Sequence, residues 1–264
     1  GDWSSDVCSS DLSVTSSSGL TAKWTQTFSP SNIRIATESG NFFGGGKAVE
    51  FTVPQQSAEG SAAIVRQFGI EQDVLFLRFY SKFDSAYNVV GSSHNGSSIS
   101  GRYCCPGEPA NGTNKFLVNY ETARFDTTLA NPGNLGVYIY HPDQRDQWGD
   151  FFFPTGVVSP FTGIPFNFGT NFVSRPDFIP QLGRWYCYEI MVRLNTPGQR
   201  DGRIALWVDG KVIADFQNLR LRDVTTLKID KFDLDLYVKS NTLGVARKWY
   251  DNVVAATSYI GPVK

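Results

Sequence analysis

The residues best suited to proton transfer in this chain are its two histidines and the tyrosines near them. His94 lies in the segment SSHNGSSISGRY, whose other reactive or anion-binding side chains are Asn95, Arg102 and Tyr103. A positioned histidine or tyrosine can act as general acid or base, and an arginine can neutralise a carboxylate. Every second residue of a strand shares a face, so His94 and Arg102 are predicted to lie together unless a turn at Gly96 breaks the register.

The second histidine, His141, ends the run VYIYH, in which Tyr138 and Tyr140 alternate with apolar residues. The two tyrosines are predicted to share one strand face, opposite to that of His141 if the strand continues so far. Both segments therefore offer acid–base candidates in a strand context. Each residue is also typical of structure alone, since a histidine in a Gly-rich segment often caps a turn and strand tyrosines often pack.

Carboxylates at close spacing would indicate a different chemistry. Asp233 and Asp235 lie two residues apart in IDKFDLDLY, after Asp230. A retaining glycoside hydrolase needs two nearby carboxylates as nucleophile and acid. The same aspartates are as typical of solvent-facing partners of Lys231 and Lys239. Glycoside hydrolysis is therefore kept as the weaker alternative.

The segment that follows His141 combines aromatic and polar side chains, as sugar-binding surfaces do. The candidates for substrate contact are Gln144, Arg145, Gln147, Trp148 and Tyr103. Aromatic rings can stack on the apolar face of a pyranose, and guanidinium groups bind carboxylates. The neighbouring Phe151, Phe152, Phe153 and Phe161 are also typical of a core or a lid, because a large exposed apolar patch favours aggregation.

Strands are predicted to position all of these residues. The strongest pattern is VLFLRFYSKF (74–83), in which apolar and mixed side chains alternate. Further predicted strands are 48–53, 115–120, 135–141, 184–194, 203–208, 211–216, 227–238 and 249–257. Asp209-Gly210 predicts a type I′ hairpin turn. Regular strands with minor helix predict an all-β, two-sheet antiparallel sandwich of the jelly-roll kind, with a functional loop or lid over 143–184.

Composition narrows the class of protein. The chain has 264 residues, 41% of them hydrophobic and 19% charged, with a net charge of −1. This balance argues against a nucleic-acid binder, and no apolar stretch is long enough for a membrane-spanning helix. We expect a monomer that binds neither nucleic acid nor membrane.

The first twelve residues, GDWSSDVCSSDL, read like translated sequencing-adapter DNA, which would mean a reading frame from an assembled metagenome with its native start missing. We expect residues 1–12 to be non-native, residues 13–23 to form a flexible linker and residues 24–264 to form a single domain. A natural Ser/Asp-rich linker is the alternative. Without Cys8, three cysteines remain, Cys104, Cys105 and Cys187, which is a poor disulfide framework. Cys187 is predicted to be a packed free thiol.

Two blocks carry a resemblance to a known family. They are WYCYEIMVRLNTPGQRDGRIALWVDGKVIADF (185–216) and KWYDNVVAATSYIGP (248–262), and LFLRFYSKF agrees with them. They resemble concanavalin A-like jelly-roll polysaccharide lyases of the alginate, glucuronan and heparin lyase types. The resemblance implies a sandwich with a concave groove and cleavage of a uronate-containing glycan by β-elimination. The fold also carries glycoside hydrolases and non-catalytic LamG-like carbohydrate-binding modules, which remain the alternatives.

The lyase reaction has three tasks, which are to neutralise the C6 carboxylate, remove the C5 proton and protonate the leaving oxygen. The resemblance implies that residues of the concave sheet perform them. We expect His94 and either Tyr138 or Tyr140 to serve as base and acid, with Arg102 and Asn95 at the carboxylate. His141 is a further proton-transfer candidate.

The resemblance also implies a structural calcium ion between the first and last strands. Oxygen ligands would come from Asp251, Glu38 and the Gly40 carbonyl. The alternative is that Asp251 caps a turn or pairs with Lys248 or Arg247. We further expect a secreted or periplasmic location and an anionic polysaccharide as substrate.

Overall fold

The computed structural model describes residues 24–158 and 166–263, together with the backbone of Ser5–Val7. In this part of the chain the only helical element is a 3-10 turn, Pro30–Asn32. The strands are β1 (Ser5–Val7), β2 (Gln26–Phe28), β3 (Ile33–Ala36), β4 (Ala48–Val53), β5 (Gly60–Gln72), β6 (Val74–Phe83), β7 (Ser93–His94), β8 (Ser97–Gly101), β9 (Phe116–Ala123), β10 (Asn134–Tyr140), β11 (Asp150–Phe152), β12 (Tyr186–Arg193), β13 (Gly202–Val208), β14 (Lys211–Leu219), β15 (Ile229–Val238) and β16 (Ala246–Ala256).

These strands form two antiparallel sheets. The first sheet has the order β14-β13-β12-β6-β16-β4-β3, with β1 paired to β16. The second has the order β11-β10-β9-β8-β15-β5-β2, with β7 paired to β15. Strands distant in the chain are neighbours in both sheets, and the two apolar faces pack on each other. The predicted all-β jelly-roll sandwich is confirmed.

The core lies between the sheets and follows from alternation along each strand. Leu75, Leu77, Phe79 and Phe83 of β6 belong to it, as the VLFLRFYSKF pattern predicts. From the second sheet, Val118, Tyr120, Val137 and Ile139 pack against them. Because side chains alternate across a strand, the residues between these core positions lie on the opposite face of the second sheet.

The Asp209-Gly210 turn is confirmed, since both residues have positive φ angles of 49° and 77° between β13 and β14. The predicted strand ranges omit β1, β2, β3, β5, β7, β8 and β11, although the parity expected for His94 to Arg102 assumes an extended strand there. The segment SSISG of β8 has a composition typical of a loop, and only its pairing with β9 and β15 makes it a strand.

Some sequence predictions lie wholly or partly outside the described residues. These are the adapter-like segment 1–12, apart from the backbone of Ser5–Val7, the linker 13–23, and Phe161. Among the described residues, no helix is both long and apolar enough to cross a membrane. Cys104 and Cys105 are exposed free thiols and Cys187 is a buried one, as predicted for Cys187.

Candidate active site

Reactive side chains collect on the face of the second sheet that points away from the core. We call this surface the polar face, and it comprises His94, Ser98, Ser100, Asn119, Glu121, Tyr138, Tyr140, Asp233 and Asp235. Register brings one row together, because Tyr138 lies opposite Asn119, Asn119 opposite Ser98, and Ser98 opposite Asp233. Four strands, β10, β9, β8 and β15, thus place polar groups side by side.

His94 is held by a buried carboxylate and lies beside a tyrosine. Its Nδ1 is 3.1 Å from both carboxylate oxygens of Glu121, which is fully buried. The His94 ring lies 4.9 Å from that of Tyr138 and 5.7 Å from that of Tyr237. With 29% of its side chain exposed, His94 can still meet a ligand. The ring is therefore oriented by the protein and accessible at the same time.

The surrounding charges favour the imidazolium form of His94. Burial lowers its pKa, but the carboxylates of Glu121, Asp235 and Asp233 outweigh this effect and raise the pKa to about 9. Burial in turn raises the pKa of Glu121. Burial and the neighbouring Asp233 carboxylate raise the pKa of Asp235 to about 8. Near neutral pH the site thus holds a cationic histidine and a largely protonated Asp235.

Tyr138 and Tyr140 share the polar face, as predicted. Their hydroxyl oxygens are 3.4 Å apart. The backbone N–H of Gly149 donates to the Tyr138 hydroxyl at 3.0 Å, and that of Gly107 donates to the Tyr140 hydroxyl at 3.1 Å. Burial and the Tyr140 contact hold the pKa of Tyr138 well above its usual value. The pair can carry a proton donor and a proton acceptor next to each other.

Lys115 adds a buried ammonium group near Tyr140. Its Nζ lies 5.3 Å from the centre of the Tyr140 ring and 5.4 Å from that of Tyr103. The same ammonium donates to the carbonyls of Cys104 and Cys105 at 2.8 and 2.6 Å. Lys115 therefore places a positive charge beside the ring of Tyr140.

Two polar-face atoms have no hydrogen-bond partner among the described residues. They are the Asn119 side-chain carbonyl oxygen and the Ser100 hydroxyl, both buried. An unsatisfied buried polar atom costs free energy, so such atoms at a candidate site indicate a ligand or water there.

Sequence analysis missed Asn119, Glu121 and Lys115. The signal was present in FLVNYETA, where polar residues recur at every second position of an otherwise apolar strand.

His94 and Arg102 are not brought together. His94, Ser98 and Ser100 keep one register along β15, in agreement with the predicted parity. The chain leaves the strand at Arg102, whose φ is +48° and whose exposed guanidinium donates to the Thr226 carbonyl. Asn95 is buried, and its amide bonds the backbone and hydroxyl of Thr122. These placements favour structural roles for Arg102 and Asn95.

His141 lies on the core side, opposite to the tyrosines. It is fully buried, with Nε2 3.0 Å from Asp150 and ring contacts to Phe152 and Phe166 at 5.5 Å. Its Nδ1 has no partner among the described residues. The position gives His141 no access to a polymer.

The predicted substrate-contact residues lie in a loop beside Tyr140. Gln144 accepts a hydrogen bond from Ala110 and donates to the Trp148 carbonyl at 3.1 Å, joining two loops. Trp148 is 49% exposed and lies against Gly107, where an added Cβ would be 3.2 Å from its ring. The other members are Gln147, which is exposed, and Arg145 and Tyr103, which are half-buried. An exposed tryptophan at this edge is available to a sugar ring.

The residues proposed for calcium are engaged with other partners. Asp251 accepts the backbone N–H groups of Phe43 and Asn252, both at 2.7 Å, which agrees with a turn cap. The Gly40 carbonyl accepts the Lys82 ammonium, and exposed Glu38 pairs with Arg34 at 2.6 Å. Among the described residues no cluster of three or more His, Cys, Asp or Glu could hold a metal. Because the Gly40 carbonyl binds the Lys82 ammonium and Glu38 pairs with Arg34, these residues as arranged do not fit a calcium ion. Calcium binding itself stays a prediction.

Residues 131–239 match the family model of polysaccharide lyase 14. This segment is under half of the chain and contains Tyr138, Tyr140, Asp233 and Asp235, but not His94 or Glu121. A search of curated protein sequences finds no match.

Solved structures share the fold at low sequence identity. An alginate lyase, Aly36B, in complex with alginate tetrasaccharide has a TM-score of 0.62 and 18% identity over 91% of this chain and 88% of that one. Alginate lyase vAL-1 from Chlorella virus has a TM-score of 0.62 and 15% identity, over 89% of this chain and 93% of that one. An endo-β-1,4-glucuronan lyase from the fungus Trichoderma reesei has a TM-score of 0.57 and 16% identity, over 90% of this chain and 92% of that one. These structures confirm the predicted jelly-roll fold, and the family match over residues 131–239 agrees with the resemblance to polysaccharide lyases.

Proposed function

We propose that the polar face binds a uronate-containing glycan and cleaves it by β-elimination. The observation that carries this proposal is the His94 imidazole, fixed 3.1 Å from Glu121, partly exposed, and beside the Tyr138–Tyr140 pair. A cation and two hydroxyls on one face are the groups that the reaction requires. The alginate and glucuronan named for the structural neighbours support an anionic polymer as substrate.

His94 is assigned to the C6 carboxylate. Its imidazolium form persists at neutral pH, so it can neutralise the carboxylate and make the C5 proton more acidic. Asn119 lies in the neighbouring strand, and the N–H groups of its side-chain amide are assigned as donors to the same carboxylate. In this assignment His94 does not remove the C5 proton, because both ring nitrogens of an imidazolium already carry a proton.

The two tyrosines are assigned to proton transfer. Tyr140, whose ring lies near Lys115 and whose hydroxyl accepts the Gly107 N–H, is assigned as the base that takes the C5 proton. Tyr138 keeps its proton because burial raises its pKa, and it donates to the glycosidic oxygen. The C5–H and C4–O bonds break, a C4–C5 double bond forms, and the proton on the leaving oxygen completes the balance.

Protonation of Asp235 reduces the repulsion between the polar face and an anionic chain. Glu121, Asp233 and Asp235 would together repel a uronate, but the raised pKa of Asp235, about 8, removes one of these charges near pH 7. The Lys231 ammonium, which donates to the Tyr103 carbonyl at 2.9 Å, adds a positive charge near the tyrosines. A secreted or periplasmic location would suit a polymeric substrate of this kind.

A polymer panel tests the proposal. The full chain is incubated with alginate, glucuronan, pectate, heparin and hyaluronan, with added calcium or a chelator, and the ultraviolet absorbance of the unsaturated uronate product is followed. We expect absorbance to rise with at least one polymer and to stay flat for His94→Ala. Binding without any rise would contradict the lyase assignment in favour of a carbohydrate-binding module, and reducing ends without unsaturation would indicate a hydrolase.

A further inference from the structure

We propose that Lys248 and Tyr250, on the opposite sheet, are positioning residues that hold the backbone bend beneath His94. This inference rests on the proposed role of His94 and extends it to residues that no substrate touches. Both side chains belong to β16 in the first sheet and point into the core, two residues apart. They cross the core and end at the junction of β7 and β8 in the second sheet.

Lys248 reaches the carbonyl of the residue that follows His94. Its side chain is 3% exposed, and its Nζ donates to the Asn95 carbonyl. Aromatic rings surround the ammonium, with ring centres at 4.1 Å for Phe83, 4.9 Å for Tyr250 and 5.9 Å for Tyr188. No carboxylate of the described residues forms an ion pair with it. A buried ammonium bound to a carbonyl is costly, so an apolar side chain of similar length would serve the core better.

Tyr250 supports the next peptide of the same bend. Its hydroxyl oxygen is 2.9 Å from the Gly96 carbonyl and 2.7 Å from the Asp235 carbonyl. Gly96 leaves no room for a side chain, because an added Cβ would lie 1.8 Å from the Tyr120 carbonyl oxygen. The Asp235 carboxylate accepts the Gly96 N–H at 3.1 Å. The bend is thus fixed by β16 from below and by Asp235 within the sheet.

The bend sets the direction of the His94 side chain. His94 ends β7, and the contact of its ring with Glu121 depends on where Asn95 and Gly96 turn the backbone into β8. Loss of the Lys248 anchor should let the bend relax and lengthen the His94–Glu121 contact. Misplacement of a reacting group by about 1 Å can lower a rate about a hundredfold.

The charges around Lys248 determine how this can be measured. The groups that influence it electrostatically are the carboxylates of Asp235 on β15 and Glu121 on β9, and burial outweighs both and lowers its pKa to about 7. Tyr188 and Tyr250 contribute rings and hydroxyls, and His94 lies beyond the bend. Above pH 8 Lys248 is mostly neutral, so its removal adds no charge effect where His94 titrates. A change in the titration midpoint of His94 then reports a change in the position of its ring relative to Glu121.

The test compares Lys248→Met with Lys82→Met. Lys82 is a matched control, because it is also a buried lysine of the first sheet bonded to a backbone carbonyl, that of Gly40, but on the outer face. Imidazole NMR resonances are followed against pH, with His141 as internal reference and His94→Ala for assignment. For Lys248→Met we expect the His94 midpoint to fall by about one pH unit or more toward 6.5, and kcat to fall about a hundredfold with KM nearly unchanged. Lys82→Met should change neither.

If the His94 midpoint and the kcat of Lys248→Met equal those of the wild type, the inference is overturned. If Lys248→Met does not fold, Tyr250→Phe replaces it, since only one hydroxyl is lost, and an unchanged His94 midpoint there would overturn the inference as well. The NMR readout needs no activity. An inactive wild type with the expected midpoint shift would therefore contradict the proposed lyase while supporting the positioning role.

Discussion

The two histidines of this protein form similar pairs in different surroundings. His94 lies 3.1 Å from Glu121 and His141 lies 3.0 Å from Asp150, and both pairs belong to the second sheet. His94 is partly exposed beside Tyr138 on the polar face, whereas His141 is fully buried against Phe152 and Phe166. A histidine–carboxylate pair is therefore not evidence of catalysis by itself. The sheet face on which it lies decides what it can reach.

The largest expected effect separates the two pairs by activity. His94→Gln should lower kcat about a hundredfold or more, because the cation at the C6 carboxylate is lost. His141→Gln should change kcat per folded molecule by about threefold or less. Initial rates on the best polymer, normalised to folded protein by circular dichroism, measure both variants. Equal losses of kcat would contradict the distinction between the two faces.

The second effect concerns stability, and here the variant of His141 should lose more than the variant of His94. His141→Ala removes one partner of a buried pair and leaves Asp150 unpaired, which should lower the free energy of unfolding by about 3–5 kcal/mol. His94→Ala also leaves a buried carboxylate, Glu121, without its partner, but it should cost less, about 1–3 kcal/mol, because His94 is 29% exposed and water can take its place. Urea unfolding followed by fluorescence measures both. A greater loss of stability in His94→Ala would refute this assignment.

A third prediction concerns pH and the carboxylate partner of His94. Because the folded-state pKa of His94, about 9, exceeds its ordinary value of 6.5, the pair stabilises the fold fully below pH 6.5 and loses this contribution as pH rises through 9. Glu121→Gln should move the alkaline limb of kcat toward neutral pH. Rates and unfolding free energies at intervals from pH 6 to 10 measure both effects. Asp150→Asn is the control, and it should leave the alkaline limb in place.

The smallest expected effect concerns Arg102, which sequence parity placed beside His94. Its guanidinium is exposed and bonds the Thr226 carbonyl, so Arg102→Ala should change kcat and KM by no more than about twofold. The assay is the same polymer degradation. A loss comparable to that of His94→Gln would mean that the loop moves Arg102 to the substrate, and the polar face would then need redefinition.

Much of the fold could be predicted from the sequence, but less of the site. The alternation in β6 and β10 predicted both the sandwich and the shared face of Tyr138 and Tyr140. Strand β8 is absent from the predicted strand ranges because its Ser- and Gly-rich composition has no β preference of its own, and only the parity of His94 to Arg102 indicated it. Asn119 and Glu121 were missed because a polar residue in a strand is ordinarily solvent-facing, and nothing local indicates that its neighbours across the sheet are reactive.

The sequence by itself determined the strand pattern, the two candidate histidines and the resemblance to jelly-roll lyases, because these depend on neighbouring residues and recurring motifs. The tertiary structure decided the partners. Glu121 is 27 residues from His94, and Lys248 is 153 residues from the Asn95 carbonyl that it holds. Such contacts depend on the register between distant strands and on the packing of two sheets. The assignment of His94 to the substrate and His141 to the core is for this reason a property of the folded chain.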